Sequence, residues 1–135
     1  ERDALFMVDY GLLGTFFFFF IFAGNMARID AVNNLFSELL QKDTLLVSIF
    51  SCQFISNVPS AILLSKFTTD YAPLLLGVNI GGTGTLIASL ASLITFSEFR
   101  ILYPNKTKQY LLLFTALNLA FLIIMTLAAK FIFIV

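Results

Sequence analysis

The chain has no histidine, one cysteine (Cys52) and few charges, with Asp, Glu, Lys and Arg making up 12% of its 135 residues. An ordinary soluble protein carries about 25%. Without histidine and with a single thiol, a zinc site, a His-based catalytic triad and an internal disulfide are excluded within this chain. The charges cancel to a formal net of zero and form no basic tail or stripe, so nucleic acid is not an expected partner. What is present is apolar: 59% hydrophobic residues and a mean hydropathy of +0.96. The apolar runs reach spanning length, which predicts an all-α integral membrane protein that crosses the bilayer more than once. The opening ERDALFMVDYG has no initiating Met and no signal-peptide architecture, and it reads as a cut through a longer polypeptide. No repeat, low-complexity linker or second domain is visible, so residues 1–135 are read as one membrane domain. The three or four membrane segments it can hold are few for enclosing a solute pathway.

Residues 10–27, with TFFFFFIFAG at their centre, predict a first spanning helix of about 27 Å at 1.5 Å per residue. Consecutive phenylalanines cover every side of it, which suits lipid contact. In DAVNNLFSELLQK, Asp30 is a good N-cap, and Val32, Leu35, Phe36 and Leu39 recur at helical spacing opposite Asn33, Asn34, Ser37 and Glu38. That pattern predicts an amphipathic helix lying along the membrane surface. Residues 43–70 then hold two short apolar arms, 44–55 and 60–67, around Ser56-Asn57-Val58-Pro59. Pro59 disfavours helix at Val58, which places the end of the first arm near Asn57. Arms of about 18 Å and 12 Å cannot each cross a bilayer. They form either a re-entrant hairpin with its tip at residues 56–59 or one kinked spanning helix. Ser48, Ser51, Cys52 and Ser56 make a polar stripe along the first arm.

The most informative stretch is residues 77–96, GVNIGGTGTLIASLASLITF. Apolar residues 74–80 and 86–96 flank Gly81-Gly82-Thr83-Gly84-Thr85, and glycine costs about 1 kcal/mol against alanine in a helix interior. A broken membrane helix would aim unpaired C=O groups, suited to a cation, and unpaired N–H groups, suited to an anion, at one spot. Half-helix termini of this kind build transporter binding sites at the bilayer midplane. The alternative is a plain spanning helix whose Gly77, Gly81, Gly84, Ala88, Ala91, Ser92 and Thr95 form a small-residue packing face. The stretch lacks a P-loop lysine and is no nucleotide loop. Residues 97–109 carry Arg100, Lys106 and Lys108 against Glu98, which places that loop in the cytoplasm. Residues 110–129 predict a final spanning helix, with Asn118 as hydrogen-bonding glue to a neighbour.

The two interruptions together resemble the ion transporter superfamily: citrate-transporter-like permeases, dicarboxylate:sodium symporters, arsenite permeases and related antiporters. The residues that carry the resemblance are Ser56-Asn57-Val58-Pro59, then Asn79-Ile80-Gly81-Gly82 and Thr85-Leu86-Ile87-Ala88-Ser89. The order of amphipathic helix, hairpin, broken helix and final helix resembles the C-terminal half of that family's inverted repeat. The resemblance implies Ser56, Asn57, Gly82, Thr83 and Thr85 as substrate-binding residues, and Ser56, Asn57, Asn79 and Gly81 as cation-binding residues. Val58 stands where related symporters often have a hydroxyl, and Leu86 where several relatives have proline, so sodium and proton both remain open as coupling ions.

Secondary active transport of a small anion (a di- or tricarboxylate, arsenite or similar), driven by a sodium or proton gradient, is therefore the expected function. The alternative is a multi-pass structural or assembly subunit. No ionisable side chain except Cys52 lies between Tyr10 and Ala27 or across the interruptions, so no enzyme chemistry, transition metal or cofactor beyond a coupling sodium ion is expected. Expected partners are the anionic solute, the lipid bilayer of the plasma membrane, the N-terminal half of the same transporter and a second copy in a homodimer.

Overall fold

In a medium without water a helix satisfies its backbone groups within its own segment, and the apolar runs of this chain fold accordingly. A computed structural model describes residues 10–134. Among them the chain forms six α-helices and two 3₁₀ turns: α1 (Tyr10–Met26), α2 (Asp30–Ile55), α3 (Asn57–Leu64), α4 (Tyr71–Gly81), a 3₁₀ turn (Leu86–Ala88), α5 (Leu90–Leu102), a second 3₁₀ turn (Pro104–Lys106) and α6 (Thr107–Ile134). The chain is an all-α membrane protein. Pro104–Ile132 is by itself long and apolar enough to cross a bilayer, with a hydropathy of 2.4 over its best window and none of that window buried. Leu13–Met26 and Asp30–Ile55 meet that standard only as a pair bent by 95°. The opening residues read above as a cut lie outside the described residues.

α2 is kinked at Asp43 (φ −163°, ψ 88°), which separates an amphipathic first arm from an apolar second arm. Ile29 rather than Asp30 takes the N-cap position, and Asp30 sits in the first turn without a side-chain cap bond. The first arm also buries a different line from the one its pattern predicted. Leu40 is buried, and Val32 and Phe36 pack against the core, with Phe36 stacked on Phe67 at 5.0 Å. Leu35 and Leu39 stay exposed. The polar Asn33 and Ser37 turn inward: Asn33 donates to the Ala27 carbonyl at the end of α1 and accepts from Ser37.

The second arm of α2 and α3 fold back on each other as a hairpin. Ser51 and Ser60 share a hydrogen bond of 2.9 Å, a pair that one continuous helix would hold about 13 Å apart at 1.5 Å per residue. The interruption is a single residue, Ser56, rather than the predicted four. α2 ends at Ile55, and Pro59 lies in the first turn of α3, where its missing N–H has no helical partner to lose. The feet of both arms, including Asp43, Thr44, Thr69 and Asp70, line one cavity of about 540 Å³.

α4 lies beside the second arm of α2 and runs in the same direction. A Cβ built on Gly77 would stand 2.7 Å from Ser48 Cβ and 2.8 Å from the Leu45 carbonyl oxygen; one on Gly81 would stand 2.9 Å from Cys52 Cβ and Ile49 Cα. These two glycines let the helices touch backbone to backbone. α6 returns antiparallel. Its Tyr110 stacks on Phe99 at 4.5 Å, while Ala129 is buried with Leu45, Ile49 and Ile80, and Lys130 pairs with Asp43 at the hairpin foot. The predicted basic loop is mostly helix, because α5 reaches Leu102 and α6 begins at Thr107. Asn118 bonds back to the Phe114 carbonyl of its own helix.

Candidate functional site

The hairpin tip and the helix break meet. Ser56 is the one described non-glycine residue with positive φ (φ 70°, ψ 159°), a region almost reserved for glycine that costs of order 1–3 kcal/mol. Its backbone is held on both sides: its N–H donates to Cys52 (3.0 Å) and its carbonyl accepts from Ser60 N–H (3.1 Å). Its hydroxyl donates to the Ala88 carbonyl at 3.3 Å, tying the tip to the 3₁₀ turn inside the break. A glycine would relieve the backbone here but could not make that tie. Asn57 accepts from Val58 N–H at 2.9 Å, and its amide nitrogen lies 2.9 Å from where a Cβ of Gly82 would stand.

The break runs from Gly82 through Ser89, longer than the predicted 81–85. After α4, the Gly82 and Thr83 N–H groups close a last turn on Val78 and Ile80 (both 3.0 Å). Gly84 then takes φ 106°, which residues with a Cβ rarely adopt. Leu86 does not resume an α-helix, because the 3₁₀ turn and an extended Ser89 (φ −143°, ψ 136°) intervene before Leu90.

Sequence reasoning missed the residue at the centre. Gln53, one turn before the tip, donates from its amide nitrogen to the carbonyls of Gly81 (2.8 Å), Thr83 (3.3 Å) and Ile49 (3.1 Å). Its amide oxygen accepts from Thr85 N–H at 3.0 Å, and the Thr85 hydroxyl donates to the Gln53 carbonyl at 3.3 Å. One carboxamide thus serves the C=O groups left by α4 and an N–H group on the far side of the break. The signal was available: Gln53 is the lone carboxamide in residues 44–55, and a polar side chain in an apolar membrane segment needs a partner.

Of the predicted residues, the fold gathers Ser56, Asn57, Gly81, Gly82, Thr83 and Thr85. Asn79 stands apart, exposed on α4 with its amide donating to the Leu75 carbonyl at 2.7 Å. The cluster is hydroxyl, amide and backbone, with no charged side chain in it. Among the described residues no group of three His, Cys, Asp or Glu is placed to hold a metal.

Charge collects instead at the foot, where Lys130 and Asp43 pair, each about one-third exposed. Partial burial acts to raise the Asp43 pKa. Hydrogen bonds from Lys130 and from the backbone of Leu46 and Leu45, with the Lys130 charge, outweigh it and hold the carboxyl below its ordinary value.

No family model and no solved structure matches the chain. Over 90 residues it is 47% identical to the uncharacterized transporter MJ0456 of Methanocaldococcus jannaschii, an overlap covering 65% of this chain and 25% of that protein. Over 96 residues it is 36% identical to the inner membrane protein YbiR of Escherichia coli K12, covering 69% of this chain and 26% of that one. The chain therefore spans about a quarter of the length of the curated relatives it matches. By its apolar helices and these similarities it is a membrane protein, related in sequence to a protein named as a transporter.

Proposed function

We propose that the chain forms one half of a secondary active transporter that moves a small anion, such as a di- or tricarboxylate or arsenite, driven by a sodium or proton gradient. The observation that carries this reading is the meeting of tip and break, with Ser56 on Ala88 and Asn57 on Gly82. Both interruptions lie between apolar helices, and irregular backbone at membrane depth is tolerated where it is buried in protein or lines a cavity. In this reading the hairpin enters and leaves on one side of a plasma membrane. α4 and α5 cross it as one broken span, and α6 crosses back.

The foot carries Asp43 and Lys130, and the connection at Tyr103 to Lys106 lies at the opposite end. That connection, flanked by Arg100 and Lys108, is assigned to the cytoplasm on its local excess of basic residues. Val58 in the first turn of α3, Leu75 and Asn79 on α4, and Ile87 in the 3₁₀ turn of the break are exposed, a surface for the remaining, N-terminal part of the transporter to cover. The relatives' greater length supports such a part.

Gly77 and Gly81 favour the second reading, a structural or assembly subunit, because both serve helix packing. Uptake by the full-length protein in proteoliposomes separates the two. A carboxylate and arsenite panel, with and without a sodium or pH gradient, should yield gradient-driven accumulation of one class. No accumulation of any member under either gradient would leave the subunit reading standing.

A further inference from the structure

We propose that the Gln53 carboxamide takes the place of a cation at the helix break, so that this break keeps its shape with no ion bound to the Gly81 and Thr83 carbonyls. A helix C-terminus presents carbonyl oxygens without N–H partners. At membrane depth those oxygens need either an internal donor or a positive ion. Here the donor is internal: the Gln53 –NH₂ group lies within 2.8–3.3 Å of the carbonyls of Ile49, Gly81 and Thr83. A cation could satisfy only those oxygens. The carboxamide also presents its own oxygen to Thr85 N–H, so it serves the opposite demand from the chain beyond Gly84.

Gly84 makes the arrangement possible, since a Cβ there would lie 2.5 Å from the Gln53 amide oxygen while φ stands at 106°. Gln53 is therefore a positioning residue: it holds residues 81–85 in place without itself carrying charge. The proposal leans on the transport reading for one consequence, that a coupling cation is held away from the Gly81 and Thr83 carbonyls. The structural claim stands independently of transport.

Cys52, buried against α4 and with Sγ 3.9 Å from the Val78 carbonyl oxygen, reports directly on the seam beside the break. The experiment is the rate of maleimide labelling of Cys52, read on its own peptide by mass spectrometry. Full-length protein in nanodiscs would be compared in sodium chloride and choline chloride at equal ionic strength, as wild type, Gln53→Met and Gln53→Glu.

Wild-type labelling should proceed at the same rate in both salts. Gln53→Met, which fills the space but leaves the carbonyls without a donor, should label about tenfold faster in both, in line with the loss of buried hydrogen bonds. Gln53→Glu should label fast in choline at neutral pH. Sodium should slow it toward wild type. Acid, which restores an O–H donor, should narrow its ratio to wild type at the same pH, the comparison that cancels the slowing of maleimide attack on every thiol in acid. Slower wild-type labelling in sodium would overturn the proposal, and so would a Gln53→Met variant that labels at the wild-type rate. A ratio of Gln53→Glu to wild-type labelling that neither sodium nor acid changes would also count against it. Because labelling needs no substrate, failure of the transport reading leaves these outcomes unchanged.

Discussion

The two halves of the broken helix have similar apolar content and opposite fates. α4 buries Leu74, Gly77, Val78, Ile80 and Gly81, whereas no residue of α5 is buried. Small residues continue through the break at helical spacing, but Ala91 and Thr95 are exposed, and the Thr95 hydroxyl returns to the Ala91 carbonyl of its own helix. α5 meets α6 through rings, with Phe96 and Phe99 against Tyr110 at 5.8 and 4.5 Å. Apolarity makes both halves compatible with lipid, since a buried and a lipid-facing side chain are alike in hydrocarbon. Close approach comes only where a glycine faces a neighbouring backbone. The small-residue reading of the sequence is thus correct for α4, the broken-helix reading is correct at Gly84, and α5 follows neither.

Replacing glycine in α4 should break this contrast most strongly. Gly77→Ala with Gly81→Ala forces each methyl against α2 backbone, and overpacking costs about 1–3 kcal/mol per site. Denaturant or thermal unfolding of the purified protein should show a combined loss at the upper end of that range. Ala91→Leu in α5 should stay within about 0.5 kcal/mol of wild type. Equal losses at the two places would erase the distinction between the halves.

Next in size is Gly84→Ala, where φ 106° imposes strain of about 1–3 kcal/mol whatever space is available. Solute uptake should be lost while the protein remains folded and inserted. Gly82, with φ −64°, has no such backbone demand. Gly82→Ala should retain stability and impair uptake through displacement of Asn57, which a parallel uptake assay would reveal.

A smaller effect is expected at Ser56. Ser56→Ala keeps the backbone strain and loses the tie to Ala88, for a loss of about 1 kcal/mol. Ser56→Gly loses the same tie but relieves the strain, so it should be the more stable of the two on unfolding. The reverse order would show that the positive φ carries no strain.

The smallest effect belongs to the foot. Lys130→Met should cost roughly 0.5–1 kcal/mol, as for a partly exposed ion pair. Because the Asp43 pKa is depressed in the fold, the pair's contribution is complete above the ordinary value of 3.8 and is lost as pH falls through the lower folded value. Wild type and Lys130→Met should therefore converge in stability in acid. A difference that persists unchanged there would assign Lys130 a packing role instead.

How much of this was legible follows the range of each interaction. The amphipathic arm, the turn before Pro59 and the glycine-rich break were readable because each reflects local backbone chemistry. Their edges were not: Ser56 alone makes the tip because tertiary ties hold it at positive φ, and the break lengthens to Ser89 around the turn that Ser56 grips. Gln53 escaped notice because its partners Gly81 and Thr85 lie 28 and 32 residues away, beyond any helical period. Asn79 was placed with the site by the resemblance carried on Asn79-Ile80-Gly81-Gly82, but the helical geometry between it and Gly81 turns it to another, exposed face of α4.

The sequence by itself determined that this chain is helical, lipid-compatible and interrupted twice, because hydrophobic runs, glycine and proline act on their own segments. Only the tertiary structure decided that the arms fold back into a hairpin, that α4 packs while α5 does not, and that one carboxamide serves both sides of the break. It also brought Lys130 onto Asp43, 87 residues away. These are outcomes of which backbones can approach closely and which orphaned polar groups can find each other. Both depend on the relative placement of segments distant along the chain.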